Sequence, residues 1–210
     1  MTARTHHVPL RIAVSSGALS PQVAALLSRQ RAEEPQTPVV LEEVSVCEQV
    51  CGLEDGRYDL GLALTTAPGH SLNAQPLWHD ELALAVPIRS PLLNFTAVPL
   101  EEFAHYPLIR WRSDEYDPVD QLMERLQQQA CTPPEIFCVR TFELMAILVA
   151  AGYGIGLGAK SRIAAARELD IIMRPLAGDR QELTTYILRP PCELPPSVDR
   201  LAERAQAISG

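Results

Sequence analysis

An alternation of short β-rich runs with helical stripes limits this chain more than any other feature. It begins near residue 8 and begins again near residue 107. Residues 8–14 read as a buried strand that ends in Ser15-Ser16-Gly17. Ser20-Pro21 is a helix start, with Ser at the cap and Pro in the first turn. Val23, Leu26 and Leu27 continue at helical spacing until Pro35 and Pro38. Residues 39–44 form a second strand. Val46, Val50 and Leu53 mark a second helix ending near Gly56, and residues 58–64 form a third strand stopping at Thr65-Thr66. The first 66 residues therefore read β-α-β-α-β, a parallel α/β unit.

A strand at 82–86 and a Pro-rich stretch precede the second unit. Residues 107–111 are its first strand, followed by a loop at 112–115. Asp117-Pro118 opens a helix with Val119, Leu122, Met123 and Leu126 on one face, running to about residue 130. A strand at 135–139 follows. Thr141 caps a nearly all-apolar helix at 142–151, which Gly152 ends. Further strands are expected at 155–158, 171–175 and 183–189, and a helix at 161–168. The last helix carries Val198, Leu201, Ala205 and Ile208 on one face. The fold class is α/β with two Rossmann-like lobes. Residues 1–84 and 186–210 form one lobe and 85–185 the other, and the strands at 82–86 and 183–189 are the crossovers. Open α/β sheets bind ligands at the carboxyl ends of their strands. Two such lobes facing each other make a cleft.

Charge narrows the partners. The 210 residues include 18 Lys+Arg against 26 Asp+Glu, a net charge of -8, with no basic run. DNA-binding surfaces draw much of their affinity from neutralising phosphates, so this chain is not expected to grip DNA by itself. The five cysteines are odd in number and irregular in spacing, which fits neither a disulfide framework nor a zinc site. Only Cys47 and Cys51 are close, four apart on the second helix. Reduced, buried thiols of a cytoplasmic protein are the expectation, with redox sensing as the alternative. The start, MTARTHHVPL, has no apolar signal core, and no stretch reaches the roughly 20 apolar residues of a membrane span. His6 and His7 lie in a polar tail. Neither metal nor cofactor is expected.

The run from Gly152 to Ala159 contains a formal GxGxxA. A dinucleotide fingerprint follows a strand and opens a helix, whereas these glycines follow a helix and enclose a strand. They read instead as a helix end and a strand permitting close backbone approach. None of the five histidines sits in a nucleophile–base setting, and no GxSxG elbow occurs. Trp78, His79 and Asp80 read as a turn before the 82–86 strand. Glu42-Glu43 and Glu101-Glu102 are adjacent carboxylates that read as solvated faces. No feature argues for an enzyme.

Several segments together resemble the effector-binding domain of LysR-type transcription regulators. RIAVSSGALSPQVAALL is similar to that family's first strand, ligand loop and helix. EDGRYDLGLAL resembles its third strand, with the aspartate before an apolar run. PLWHDELALAVPIRSPL is similar to its crossover, with Ser90 where His is common. VPLEEFAHYPLIRW resembles the entry to its second lobe. TFELMAILVAAGYGIGLGAKS resembles its glycine-rich signature, with Ala159-Lys160 where Pro is frequent. These matches run from 8 to 190 in order. The resemblance implies a type-2 periplasmic-binding-protein-like fold, with the crossovers as hinge. It also implies a homodimer of antiparallel effector domains, with the helices at 21–32 and 118–130 as candidates, and a tetramer of the full-length regulator. An N-terminal helix-turn-helix would carry the DNA contact. Since the first strand begins near residue 8, this chain is expected to be the sensing part alone.

The effector is expected in the inter-lobe cleft. From the first lobe the candidates are Ser15 and Ser16, before the first helix, and Thr65 and Thr66, after the third strand. From the second they are Arg110, Arg112, Ser113 and Thr141. Helix starts, hydroxyls and guanidinium groups together suit a small carboxylate or other anion. Ser15, Ser16 and Thr141 are equally explained as turn and cap residues. Arg110 alternates with Ile109 and is equally explained as solvent-facing, while Arg112 lies past the strand's end. Two other functions use such a scaffold, a transporter's solute-binding protein and an enzyme.

Overall fold

A computed structural model describes residues 8–103, 105–111, 135–178 and 180–208. The expected loop at 112–115 and helix at 117–130 lie outside the described residues, as do Arg112 and Ser113. The chain divides into two compact units, one of Met1–Trp78 with Thr184–Gly210 and the other His79–Leu183.

In the first unit the strands are β1 (Leu10–Val14), β2 (Val39–Glu43), β3 (Leu60–Ala63), the start of β4 (Asn73–Pro87) and the end of β9 (Glu182–Arg189). The order β2-β1-β3-β9 is parallel for the first three, and β9 is antiparallel to β3. The position of β3 explains its sequence. It lies between two strands and is covered on both faces, so all four residues of LGLA are buried. β2 lies at the end of this order and leaves four of its five residues exposed.

Three helices cover this sheet: α1 (Pro21–Glu33), α2 (Val46–Glu54) and α6 (Pro196–Gln206). In α6, Val198, Leu201, Ala202 and Ala205 recur at helical spacing and enter the core of Ile12, Leu26, Leu62 and Trp78. Burying an aliphatic side chain of this size is worth about 1.5–3 kcal/mol. Trp78 donates its indole N–H to the Ala205 carbonyl at 3.1 Å. A polar seam joins α1 to α6. Arg204 donates to Gln30 (2.6 Å), Glu33 (2.5 Å) and Glu34 (2.6 Å), and Arg200 also pairs with Glu34.

The second unit holds the rest of β4 with β5 (Leu108–Trp111), β6 (Ile136–Val139), β7 (Ile155–Ala159) and β8 (Ile171–Pro175). Their order is β8-β4-β7-β5-β6, and β5 is parallel to both β6 and β7. α3 (Leu100–Phe103), α4 (Phe142–Ala150) and α5 (Lys160–Ala165) are the described helices. Apolar clusters lie on both faces of the sheet, one around Leu84, Phe103 and Leu108, the other around Ile109, Met145 and Ile163. α4 buries Phe142, Met145, Ala146 and Val149, and ends before Gly152 at φ +83°.

The structure corrects four expectations. Trp78, His79 and Asp80 are not in a turn: the backbone stays extended, and they belong to the 15-residue β4. The helix expected at 161–168 stops at Ala165. A 3-10 turn at Arg167–Leu169 replaces its last part, and Asp170 then adopts the left-handed region at φ 57°. Ser20 occupies the cap position of α1 but its side chain makes no cap bond, so Pro21 at the first turn marks this start. The described cysteines Cys47, Cys51, Cys138 and Cys192 are free and exposed, not buried. At 47 and 51 the cause is helical phase, since Val46, Gln49, Val50 and Leu53 take the inner face of α2.

Candidate functional site

In the first unit the site grows from strand register. Val14 stands beside Glu43 on one side and Leu62 on the other, so β1, β2 and β3 end along one edge. Two backbone bonds tie the outgoing chain to it: Ser15 donates its N–H to Leu62 O (2.9 Å), and Val44 to Val14 O (3.0 Å). Ser15 is 2% exposed and extended, and its carbonyl accepts from Ala18 at 2.9 Å. Ser16 is half-buried and donates its hydroxyl to the Glu43 carboxylate. Thr65 accepts from the Ala67 N–H at 3.2 Å, closing a tight turn in which Ala67 reaches φ 51°. Thr66 is exposed beside it. The structure thus gathers Ser15, Ser16, Thr65 and Thr66 on loops that leave one sheet edge.

Two residues of this edge were not anticipated. Glu43 is exposed, as a solvated face requires, and what was not anticipated is that it also accepts from Ser16. Gln49 was not singled out. It is fully buried, and its amide donates to Ala13 O (2.9 Å) and Leu62 O (3.1 Å), fastening α2 beneath the strand ends. A polar residue inside the stripe Val46, Val50, Leu53 was the available signal, because buried amides need partners.

In the second unit β5 and β6 end side by side, with Trp111 in register with Val139. Thr141 follows and accepts from the Leu144 N–H at 3.2 Å, capping α4. Its hydroxyl therefore acts as a cap acceptor, and the same atom keeps its own proton to donate. Arg110 is half-buried, one residue before the end of β5. By strand alternation it lies on the face of Leu108, opposite Ile109 and Trp111.

The cation at this edge that sequence reasoning missed is Arg162. Its guanidinium carbon lies 4.4 Å from the Trp111 ring centre and 4.5 Å from that of Phe142. The two rings meet edge to face at 5.9 Å. Such contacts hold a cation by the ring quadrupole and limit its motion. The helix bearing Arg162 is itself anchored. Asp80 accepts from the Ser161 hydroxyl (2.6 Å) and the Ser161 N–H (3.3 Å), and Lys160 pairs with Glu81 at 2.7 Å. Lys160, and Arg180 more weakly, hold the Glu81 carboxyl below its ordinary range. No local pattern marks Arg162, since the rings that hold it, Phe142 and Trp111, are some 20 and 50 positions away.

A concavity of about 570 Å³ opens elsewhere in this unit, lined by Ile88, Arg89, Tyr106, Tyr153 and Asp170 among others. It includes Pro107 and Gly154, at the amino ends of β5 and β7. The ligand rule for open α/β sheets points to the carboxyl ends, so this concavity is not the candidate site. Among the described residues no group of three or more His, Cys, Asp or Glu could hold a metal ion. Nor is any described helix long and apolar enough to cross a membrane.

A family model described as the LysR substrate binding domain matches residues 4–208. Over 159 residues the chain is 25% identical to the probable cat1 operon transcriptional activator of Acinetobacter lwoffii, covering 74% of this chain and 51% of that protein. The chain spans about half the length of the curated relatives it matches. Among solved structures, the BenM effector-binding domain with benzoate superposes with a TM-score of 0.81 at 21% identity, covering 95% of this chain and 90% of that one. The effector-binding domain of QuiR in complex with shikimate also gives 0.81, at 17% identity and 96% of both chains. At these identities the likeness is one of fold.

Proposed function

The chain belongs to the LysR substrate-binding domain family, and from that membership we propose that it senses a small anionic metabolite, a carboxylate first. The observation that carries the reading is the pair of loop-bearing edges, each at the carboxyl end of parallel strands. On the first unit's edge Ser15, Ser16, Thr65 and Thr66 supply hydroxyl and backbone donors. On the second's, Thr141 and the ring-held Arg162 supply a hydroxyl and a positive charge, with Arg110, Arg112 and Ser113 as further candidates. Because Glu43 already accepts from Ser16, the first edge favours neutral, hydroxylated parts of an effector. A carboxylate suits the second edge, where the ring-held Arg162 supplies positive charge. Benzoate and shikimate, named with the BenM and QuiR domains, are both carboxylates.

The reading extends to the whole protein. Transcription regulation in the cytoplasm, with DNA held by a part outside these 210 residues, fits the acidic charge and the regulators among the relatives. Self-association as a homodimer, through the 21–32 helix and the 118–130 segment, belongs to the same proposal. The named relatives are regulators.

The test is thermal unfolding against a panel of hydroxylated and aromatic carboxylates. A ligand at about 100 times its Kd stabilises by about 2.7 kcal/mol, which raises Tm by about 5–10 °C in a chain of this size. Ser16→Ala and Arg112→Ala are expected to reduce that shift. If no carboxylate moves Tm, or both variants respond as the parent does, the assignment fails.

A further inference from the structure

We propose that Cys47 and Cys51 form a two-thiol clamp for trivalent arsenic, a binding site apart from the sheet edges described above. Both thiols are free and exposed on α2. Residues four apart on a helix stand one turn above the other on the same side. The inner face of α2 is taken by Val46, Gln49, Val50 and Leu53, so the two sulfurs share the outer face. Their proximity also shows in their chemistry. Partial desolvation, then the neighbouring Cys47 thiol, then Asp55 and Glu48 push the Cys51 thiol up. Asp55 and Glu48 thus place this outer face in a negative field that favours an electropositive centre.

Coordination chemistry selects the occupant. Zinc in a protein takes three or four ligands, and no group of three metal-binding residues occurs among the described residues. Trivalent arsenic is pyramidal and joins two neighbouring sulfurs on one side. With an aryl arsenoxide the step is a condensation. Two S–H bonds break, two As–S bonds form, and the arsenic-bound oxygen leaves as water with both thiol protons. Arsenic stays trivalent, so neither oxidant nor reductant is needed.

Titration of the 210-residue chain with phenylarsine oxide, followed by intact mass and free-thiol count, tests the clamp. One phenylarsenic group per chain is expected, with the loss of two reactive thiols. Cys47→Ser or Cys51→Ser removes the chelate and weakens binding by about 100-fold or more, the scale expected when a second attachment becomes intramolecular. Cys131→Ser, Cys138→Ser and Cys192→Ser leave binding unchanged. Peptide mapping of the parent adduct, which needs no variant to fold, places the arsenic bridge between residues 47 and 51. An adduct that survives Cys47→Ser at parental affinity, a bridge mapped elsewhere, or no adduct overturns the proposal.

Discussion

Replacing Glu34 by Gln isolates the polar seam between α1 and α6. The Glu34 side chain is 9% exposed and meets Arg204, itself 10% exposed, at 2.6 Å. Arg200 grips the same carboxylate, with a second contact at 3.2 Å. First the Arg200 hydrogen bond and then that of Arg204 lower the Glu34 carboxyl from 4.5 to about 2. At about 1.4 kcal/mol per pKa unit, that displacement corresponds to roughly 3 kcal/mol favouring the charged form in the folded state. Arg200 is half-exposed and solvent-screened, so a loss of about 2–3 kcal/mol at pH 7 is expected. The direction in pH follows from the lowered value. The contribution is fully present above the ordinary Glu value and is lost as pH falls toward about 2. The parent and Glu34→Gln should therefore differ most at pH 7 and converge as pH drops from about 5 toward 2.

Trp78 reports locally on this seam. It is 3% exposed and bonds Ala205, the neighbour of Arg204. The other tryptophan, Trp111, belongs to the second unit. Urea unfolding read by Trp78 fluorescence in a Trp111→Phe background, at pH 7, 4 and 3, gives the comparison. Equal midpoints at pH 7, or a difference undiminished at pH 3, would refute the argument.

Two further outcomes are expected. Gly154→Ala places a Cβ 2.2 Å from the backbone oxygen of Pro107, so the strand start must shift; a loss of about 1–3 kcal/mol in urea unfolding is expected, and an unchanged midpoint would contradict the packing described. Sedimentation at rising concentration should show a dimer, and a monomer throughout would remove the pairing from the proposed function.

Much of the architecture was legible in the sequence. The elements followed from two periodicities: strands from alternation or continuous apolar runs, helices from stripes such as Val198, Leu201 and Ala205. Pro21 and Gly152 marked ends because a fixed φ and a left-handed φ are local properties of those residues. The edge carrying Ser15, Ser16, Thr65 and Thr66 was legible for the same reason, since each follows a recognisable strand. Legibility stopped where geometry depends on partners. The turn expected at Trp78–Asp80 reflected a polar local composition. The backbone there stays extended, and Asp80 reaches residue 161 to hold a helix start.

The sequence by itself determined the order of elements, the α/β class and the family resemblance, because those rest on spacing along the chain. Only the tertiary structure decided which side chains meet. It seated Arg162 on Trp111 and Phe142, gave Ser16 to Glu43, and put Gln49 under the ends of β1 and β3. Helical phase about a buried face turned Cys47 and Cys51 outward. The physical reason is the range of the forces. Dihedral preference and hydrophobic period act over a few residues, whereas hydrogen bonds and cation–ring contacts form between groups that the chain brings together only once it has folded.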